Sequence, residues 1–259
     1  MEETDLGRFA STVAFYERAR QPYGAAFFAS VARMLAFDRS QRLLDLGTGP
    51  GLLALGFAPF FGAVFGVDPE PAMIAAAHEA AACSSVALHL IEGRAETLPA
   101  SIGTFDVVTI GRALHWMDPE PTRAALDRVV AARGCILICH AASVADGRNP
   151  WLADYDAARK RWTEESVADR YGLDRDAFFA GTRFRRGKTI SVETEQTVPA
   201  ERLIDRVLSM SSSSPERVGN EMQAMRAAMR EALAPFVLDG LIREIVEARA
   251  EVFGDSEYR

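Results

Sequence analysis

Cysteine is scarce in this sequence: Cys83, Cys135 and Cys139 are the three among 259 residues. An odd number in apolar surroundings argues against a disulfide framework. Cys135 and Cys139 are separated by three residues on an expected strand, where the two-residue period puts both side chains on one face. No histidine-rich segment lies nearby to complete a zinc set, so both are expected in the core and no metal is expected. Also missing is any uninterrupted apolar run near the ~20 residues that a membrane span needs. The opening MEETDLGRFA is acidic, without the basic-then-apolar order of a signal peptide, and a cytoplasmic location is the expectation. Positive charge is in deficit, with 29 Lys plus Arg against 36 Asp plus Glu and a net charge of −7. Such a chain repels polyanions, so neither nucleic acid nor anionic membrane is expected as a partner. A local basic cluster, Arg183, Arg185, Arg186 and Lys188, flanks an expected strand and reads as a solvated edge.

What is present is the material for one sizeable core, 49% hydrophobic with 25% charged residues, and no internal repeat. Residues 6–37 carry apolar stripes at helical spacing, Phe9, Val13 and Tyr16 and then Phe27, Phe28, Val31 and Leu35, broken at Gln21-Pro22. From Arg42 the texture changes to short β-type runs, RLLDLG (42–47), AVFGVD (63–68), VALHLI (86–91), FDVVTIG (105–111) and GCILICH (134–140). Helical stretches at 51–60, 70–83 and 120–132 separate them. Because parallel neighbours need a crossover helix, this alternation predicts an α/β fold, a doubly wound, mostly parallel sheet.

The regular spacing stops near Ala141. Residues 151–181 read as helical, with Trp151, Tyr155, Trp162, Tyr171, Phe178 and Phe179; KTISVETEQTVP (188–199) reads as a strand. Residues 200–236 read as two helices divided at SSSSP (211–215), where Ser214 can cap and Pro215 can start the second. After the Asp239-Gly240 turn, 241–253 fits helix or strand; strand is chosen because pairing with 188–198 would close the sheet with an antiparallel last strand. One domain over 1–259 is expected, with an N-terminal helical lid (1–40), a core (41–141), a helical cap (142–187 and 199–238) and closing strands (188–198 and 241–253).

The chemistry is concentrated in LLDLGTGPG (43–51), which places Gly47, Gly49 and Gly51 between an apolar strand and a helix. Without Cβ atoms such a turn lets backbone lie against a ligand at the carboxyl end of the first strand, and a nucleotide or nucleoside is the expected occupant. The dinucleotide pattern GxGxxG needs glycine at 52, where Leu52 stands, and Pro50 removes a backbone donor. Both weaken a pyrophosphate reading and leave a nicotinamide dehydrogenase as the lesser enzyme alternative.

An acidic residue followed by GxGxG, here Asp45, Gly47, Gly49 and Gly51, resembles the first motif of the class I S-adenosylmethionine-dependent methyltransferases. The resemblance continues through GVDPEPAMIAAA (66–77), EGRAETLP (92–99) and FDVVTIGRALHWMD (105–118), and covers roughly Phe9 to His140. It implies a Rossmann-like fold and S-adenosylmethionine as cofactor, with S-adenosylhomocysteine as product. It also implies donor contacts from Asp45, the Gly47-Thr48-Gly49 turn and Gly51, from Asp68 and Pro69, from Met73 against the adenine, from Ala95 and Glu96 along its edge, and from Gly111 and Arg112. Many relatives have Asp where this chain has Arg94, and Glu96 pairing with Arg94 at the surface is the competing reading. Asp68 stands 23 residues after Asp45, near the ~20-residue interval at which an acidic side chain meets ribose hydroxyls; its other reading is a helix cap ahead of Pro69.

His115 and Trp116 follow the fourth strand. An imidazole with an unperturbed pKa near 6.5 can take a proton from an acceptor, or the pair can simply wall the cavity. FASTVAFYERARQPYG (9–24) resembles the helical lid of the ubiquinone/menaquinone-type and trans-aconitate-type small-molecule branch. That likeness implies Tyr16, Arg20 and Tyr23 over the donor's methionine end, with helix packing and a surface ion pair as the alternatives for all three; Tyr23 is also a candidate acceptor contact. Trp151 and Tyr155 are the candidate acceptor contacts of an aromatic cap over a flat or apolar molecule, against core packing, which aromatics at helical spacing usually serve. The resulting expectation is an enzyme that methylates a small molecule by direct in-line displacement, as a monomer or homodimer. An RNA or protein methyltransferase and a non-catalytic nucleoside-binding module are the alternatives.

Overall fold

The computed structural model describes residues 15, 19–163 and 173–255. Phe9, Val13, Tyr16 and Tyr171 lie outside the described residues, as do most of the expected lid and residues 164–172 of the expected cap.

The chain runs α1 (Gly24–Met34), β1 (Arg42–Leu46), α2 (Leu52–Phe57), β2 (Ala63–Asp68), α3 (Pro71–Ser84), β3 (His89–Glu92), β4 (Phe105–Gly111), α4 (Pro119–Val129) and β5 (Val130–Ser143). It continues through α5 (Leu152–Arg159), α6 (Arg175–Phe178), β6 (Arg185–Pro199), α7 (Ala200–Leu208), α8 (Pro215–Val218), α9 (Met222–Leu233) and β7 (Leu241–Gly254). The strands form one sheet in the order β3-β2-β1-β4-β5-β7-β6. β1 to β5 pair in parallel, and β7 runs antiparallel between β5 and β6. The choice of strand for 241–253 agrees with this.

Strand alternation sorts the core into two layers. Leu43, Val107, Cys135, Leu137 and Cys139 pack on one face with Phe27, Phe28, Val31 and Phe57. Leu44, Leu46, Val108, Ile110, Ile136 and Ile138 pack on the other with Leu126, Val129, Phe178 and Phe253. Central strands buried on both sides need the near-continuous apolar runs seen in the sequence. A third cluster, Trp151, Tyr155, Leu203, Ile204, Val207, Met225, Met229 and Leu233, packs α5, α7 and α9 together with Val198 of β6 and Ile242 of β7.

Several boundaries differ from the sequence reading for local reasons. Ser85 adopts a left-handed φ of 54° as the C-cap of α3, and Val86 N–H returns to the Ala81 carbonyl, so Val86–Leu88 serve as connection and β3 starts at His89. Helix α2 ends at Phe57 because Pro59 lacks the amide donor, and Ala58–Phe60 finish as a 3-10 turn. Residues 200–236 hold a further break at Gly219 (φ 52°), between α8 and α9, and Ser214 occupies the N-cap without a side-chain capping bond. The basic cluster is an edge as read, with Arg183 on Asp127 and Arg186 on Asp176 and Glu251.

Candidate active site

β1 pairs with both β2 and β4, so the chain leaves the sheet in opposite directions on either side of it, and a crevice opens beyond the carboxyl ends at this switch point. A cavity of about 420 Å³ occupies that place. Its floor is the turn between β1 and α2. Gly47 and Thr48 N–H donate to the Val67 carbonyl at 2.8 and 3.0 Å, and Gly49 N–H donates to Asp68 Oδ2 at 2.8 Å.

Each turn residue has a separate task. Gly47 (φ 68°) leaves no room for a side chain, since a Cβ would stand 2.4 Å from Ala113 Cβ. A Cβ on Gly49 (φ 54°) would meet only Met73 Sδ, at 3.9 Å, and the space above it is the cavity. Gly51 (φ 86°) instead faces Leu55 and Ala77, so its expected donor contact is corrected to helix packing. The same holds for Asp45 and Thr48: they lie under the turn, where Thr48 Oγ1 and Thr109 Oγ1 donate to the two oxygens of Asp45 at 2.7 Å each. Burial, opposed by those two hydroxyls, pushes the Asp45 carboxyl up to about 6.

One side of the cavity is acidic. Asp68, Pro69, Met73, Ala95 and Glu96 line it as expected by position, and Glu70 joins them. Asp68 Oδ1 accepts from Glu70 N–H at 3.0 Å; Glu70 is itself the N-cap of α3 and no side chain makes a cap bond there, so the cap reading is corrected to a brace of the turn ahead of the helix, from which the carboxylate lines the cavity. Burial raises its pKa against these backbone donors. Glu96 does both things as well, accepting from Asp118 N–H at 3.1 Å, lying 3.7 Å from Arg94 and lining the cavity.

The opposite side is basic and carries the two histidines of the wall. Gly111, Arg112, His115 and Trp116 follow β4 and line it, with the His115 and Trp116 rings 5.1 Å apart, and Arg20 joins from the N-terminal segment. Arg112 holds a left-handed φ of 58°, fixed by Nη2 donating to the Gln21 and Ala141 carbonyls at 2.9 and 3.0 Å. A non-glycine residue kept in that region by surrounding bonds is typical of a functional site. Cys139, His140 and Arg175 complete this side. Burial pushes the Cys139 thiol well above its usual range, so it is no nucleophile.

Three expected acceptor contacts are corrected. Tyr23 is 5% exposed below the cavity, donating its hydroxyl to the Cys139 carbonyl at 3.3 Å with the Arg112 guanidinium 5.1 Å over its ring. Trp151 and Tyr155 belong to the third cluster: Trp151 Nε1 donates to the Arg243 carbonyl at 3.0 Å and Tyr155 Oη to the Leu203 carbonyl at 3.0 Å. Their polar tips are spent inside, so neither reaches the cavity. Glu70, His140 and Arg175 went unread. His140 closes the fifth β-type run beside β4, which was a usable signal; Arg175 arrives from the cap, and nothing local in the sequence marks it.

Residues 43–133 match the family model described as a methyltransferase domain. Over 126 residues the chain is 33% identical to an uncharacterized methyltransferase of Mycobacterium tuberculosis, covering 49% of each protein. The chain thus spans about half the length of the curated relatives it matches. Among solved structures, a SAM-dependent methyltransferase from Thiobacillus denitrificans in complex with S-adenosyl-L-homocysteine superposes with TM-score 0.56 at 16% identity, over 96% of this chain and 99% of that one. The YcgJ protein from Bacillus subtilis does so with TM-score 0.53 at 19% identity, over 88% and 97%. At these identities the two structures speak for the shared fold. Among the described residues no helix is long and apolar enough to cross a membrane, and no group of three His, Cys, Asp or Glu side chains is arranged to hold a metal ion.

Proposed function

We propose that the chain is a class I S-adenosylmethionine-dependent methyltransferase that transfers a methyl group to a small-molecule acceptor, a reading that the methyltransferase-domain match over residues 43–133 and the 33% identity to a methyltransferase of Mycobacterium tuberculosis support. One observation carries the reading: over a single recess at the switch point, the bare backbone of Gly49 meets the carboxylate of Asp68. The residues fit an adenosyl ligand. Asp68 keeps lone pairs for ribose hydroxyls after accepting from Gly49 and Glu70, and a second carboxylate, Glu70, stands beside it. Met73 and Ala95 offer apolar contact to a flat base, and Glu96 an acceptor at its edge. Arg20 is the cation for the methionine carboxylate.

When bound, S-adenosylmethionine supplies a methyl group already activated on a sulfonium. The protein's work is then alignment and exclusion of water, and orientation alone is worth up to ~7–11 kcal/mol in ideal intramolecular cases. Trp116 walls the acceptor side, and His115 beside it takes the proton when the acceptor loses one, a contribution of typically ~10²–10⁴-fold. A cavity of about 420 Å³ and a net charge of −7 favour a small molecule over RNA.

Calorimetry with S-adenosylhomocysteine tests the donor site. Wild type is expected to bind, and Asp68→Ala to bind more weakly by about 1–3 kcal/mol, the range for a lost hydrogen bond to a charged group. No heat with well-folded protein overturns the reading. Transfer of labelled methyl to RNA or to a protein extract, with none to a metabolite fraction, replaces the small-molecule acceptor by a macromolecular one.

A further inference from the structure

The cavity is electrically lopsided. Asp68, Glu70 and Glu96 come from the β2 and β3 ends, with Arg94 held near Glu96. Arg20, Arg112 and Arg175 surround the β4 and β5 ends, where Gly111 and Cys139 are register partners and Arg112 and His140 follow them. Arg175 differs from the other two in how it is held. Its Nη1 donates to Glu251 Oε1 at 2.6 Å, and a guanidinium fork has further N–H groups to direct into the cavity that its side chain lines.

His140 reports the field at this end. It is a solvent-exposed residue that lines the cavity, and desolvation of its ring followed by Arg112, Arg175, Arg20 and Arg249 pushes its imidazole down to about 4. Near neutral pH it is an uncharged ring with one N–H to donate, set among guanidinium groups. The donor adds to this positive region, because its methionine end carries a sulfonium and an ammonium against a single carboxylate. Such a field favours a negatively charged second ligand and disfavours a cationic one.

We propose that the methyl acceptor is an organic anion, carrying a carboxylate or a phosphate group that Arg175 and His140 hold at the β5 end of the cavity. Leu173 and Ile138, next to them in the wall, take its apolar part. The proposal rests on the methyltransferase reading for the word acceptor, whereas the anion site itself stands on the side chains named.

Benzoate, phenyl phosphate and the neutral benzamide are titrated into the full chain, with and without saturating S-adenosylhomocysteine. At least one anion is expected to bind ten or more times more tightly than benzamide, and the ratio of the two anions tells carboxylate from phosphate. Arg175→Gln is expected to erase the preference and Arg175→Lys to keep most of it, with S-adenosylhomocysteine affinity within twofold of wild type in both. Glu251 retains Arg186 in either variant. Equal binding of benzamide, no binding of either anion, or a preference that survives Arg175→Gln overturns the proposal. Protein that binds S-adenosylhomocysteine yet shows no anion preference refutes this inference alone; protein with the preference but no such binding refutes the methyltransferase reading alone.

Discussion

Asp45 is a carboxylate without water, 1% exposed, whose oxygens each receive a hydroxyl from a different element. Its position in the first motif was legible; its direction was not. The deciding partner, Thr109, lies 64 residues away on β4, so no local spacing marks this acid as a brace for the turn rather than a ligand contact. The consequence is a pH dependence with a definite sign. The folded pKa of about 6 lies above the ordinary aspartate value of 3.8, so between these values the folded chain holds a proton that the unfolded chain has lost. The associated stability is complete below pH ~4 and is lost as pH rises through 6, by roughly 3 kcal/mol for two pH units at 1.36 kcal/mol each. Denaturant unfolding of wild type is therefore expected to show a component that declines over that window, and Asp45→Asn to lack it. Parallel curves for the two proteins would assign the decline elsewhere; Asp68, raised in the same direction, is the residual contributor.

Among the elements, the parallel strands were legible because burial on both faces demands apolar runs, and β3 was misplaced because Val86–Leu88 only connect α3 to it, with Leu88 packed against the core rather than paired. Helix α7 illustrates what amphipathic spacing hides. Leu203, Ile204, Val207 and Leu208 are buried as a helical stripe predicts, but so is Arg206, at 1% exposure. Its Nη1 and Nη2 donate to Glu244 Oε1 and Oε2 at 2.6 and 3.1 Å, and its Nε to the Ala19 carbonyl at 2.8 Å. Glu244, on β7, also accepts from Ser143 Oγ and Gln196 Nε2, which ties α7, β5, β6 and β7 to the segment that carries Arg20. Burial works to raise the Glu244 pKa, and the Arg206 bonds and charge outweigh it and hold the group below its ordinary value. Removing either partner strands a buried charge, so Arg206→Met and Glu244→Leu are each expected to cost about 3–5 kcal/mol in denaturant unfolding. The double variant should cost much less than their sum. Additive losses would mean that the two side chains do not act as a pair.

At the scale of the whole molecule, the sheet is shared while the cores are not. Two clusters clothe its faces and a third packs α5, α7 and α9, so the cavity at the β1–β4 switch point and the packing around Trp151 are separate structures. Aromatics at helical spacing look alike in a sequence whether they face a cavity or a core, which is why Trp151 and Tyr155 read as acceptor contacts. The fold decides between them through partners distant in sequence, the Arg243 and Leu203 carbonyls and an edge-to-face stacking of the two rings at 5.6 Å. That separation has a measurable form. Trp151→Ala is expected to lower stability by about 3–5 kcal/mol, the cost of emptying a large core site. Its affinity for S-adenosylhomocysteine should nonetheless stay within twofold of wild type. At about 100 times Kd the ligand should then return ~2.7 kcal/mol to both proteins alike, read as equal increments in denaturant unfolding. A folded Trp151→Ala protein that gains markedly less from the ligand would make the third cluster part of the donor site and join what the clusters keep apart.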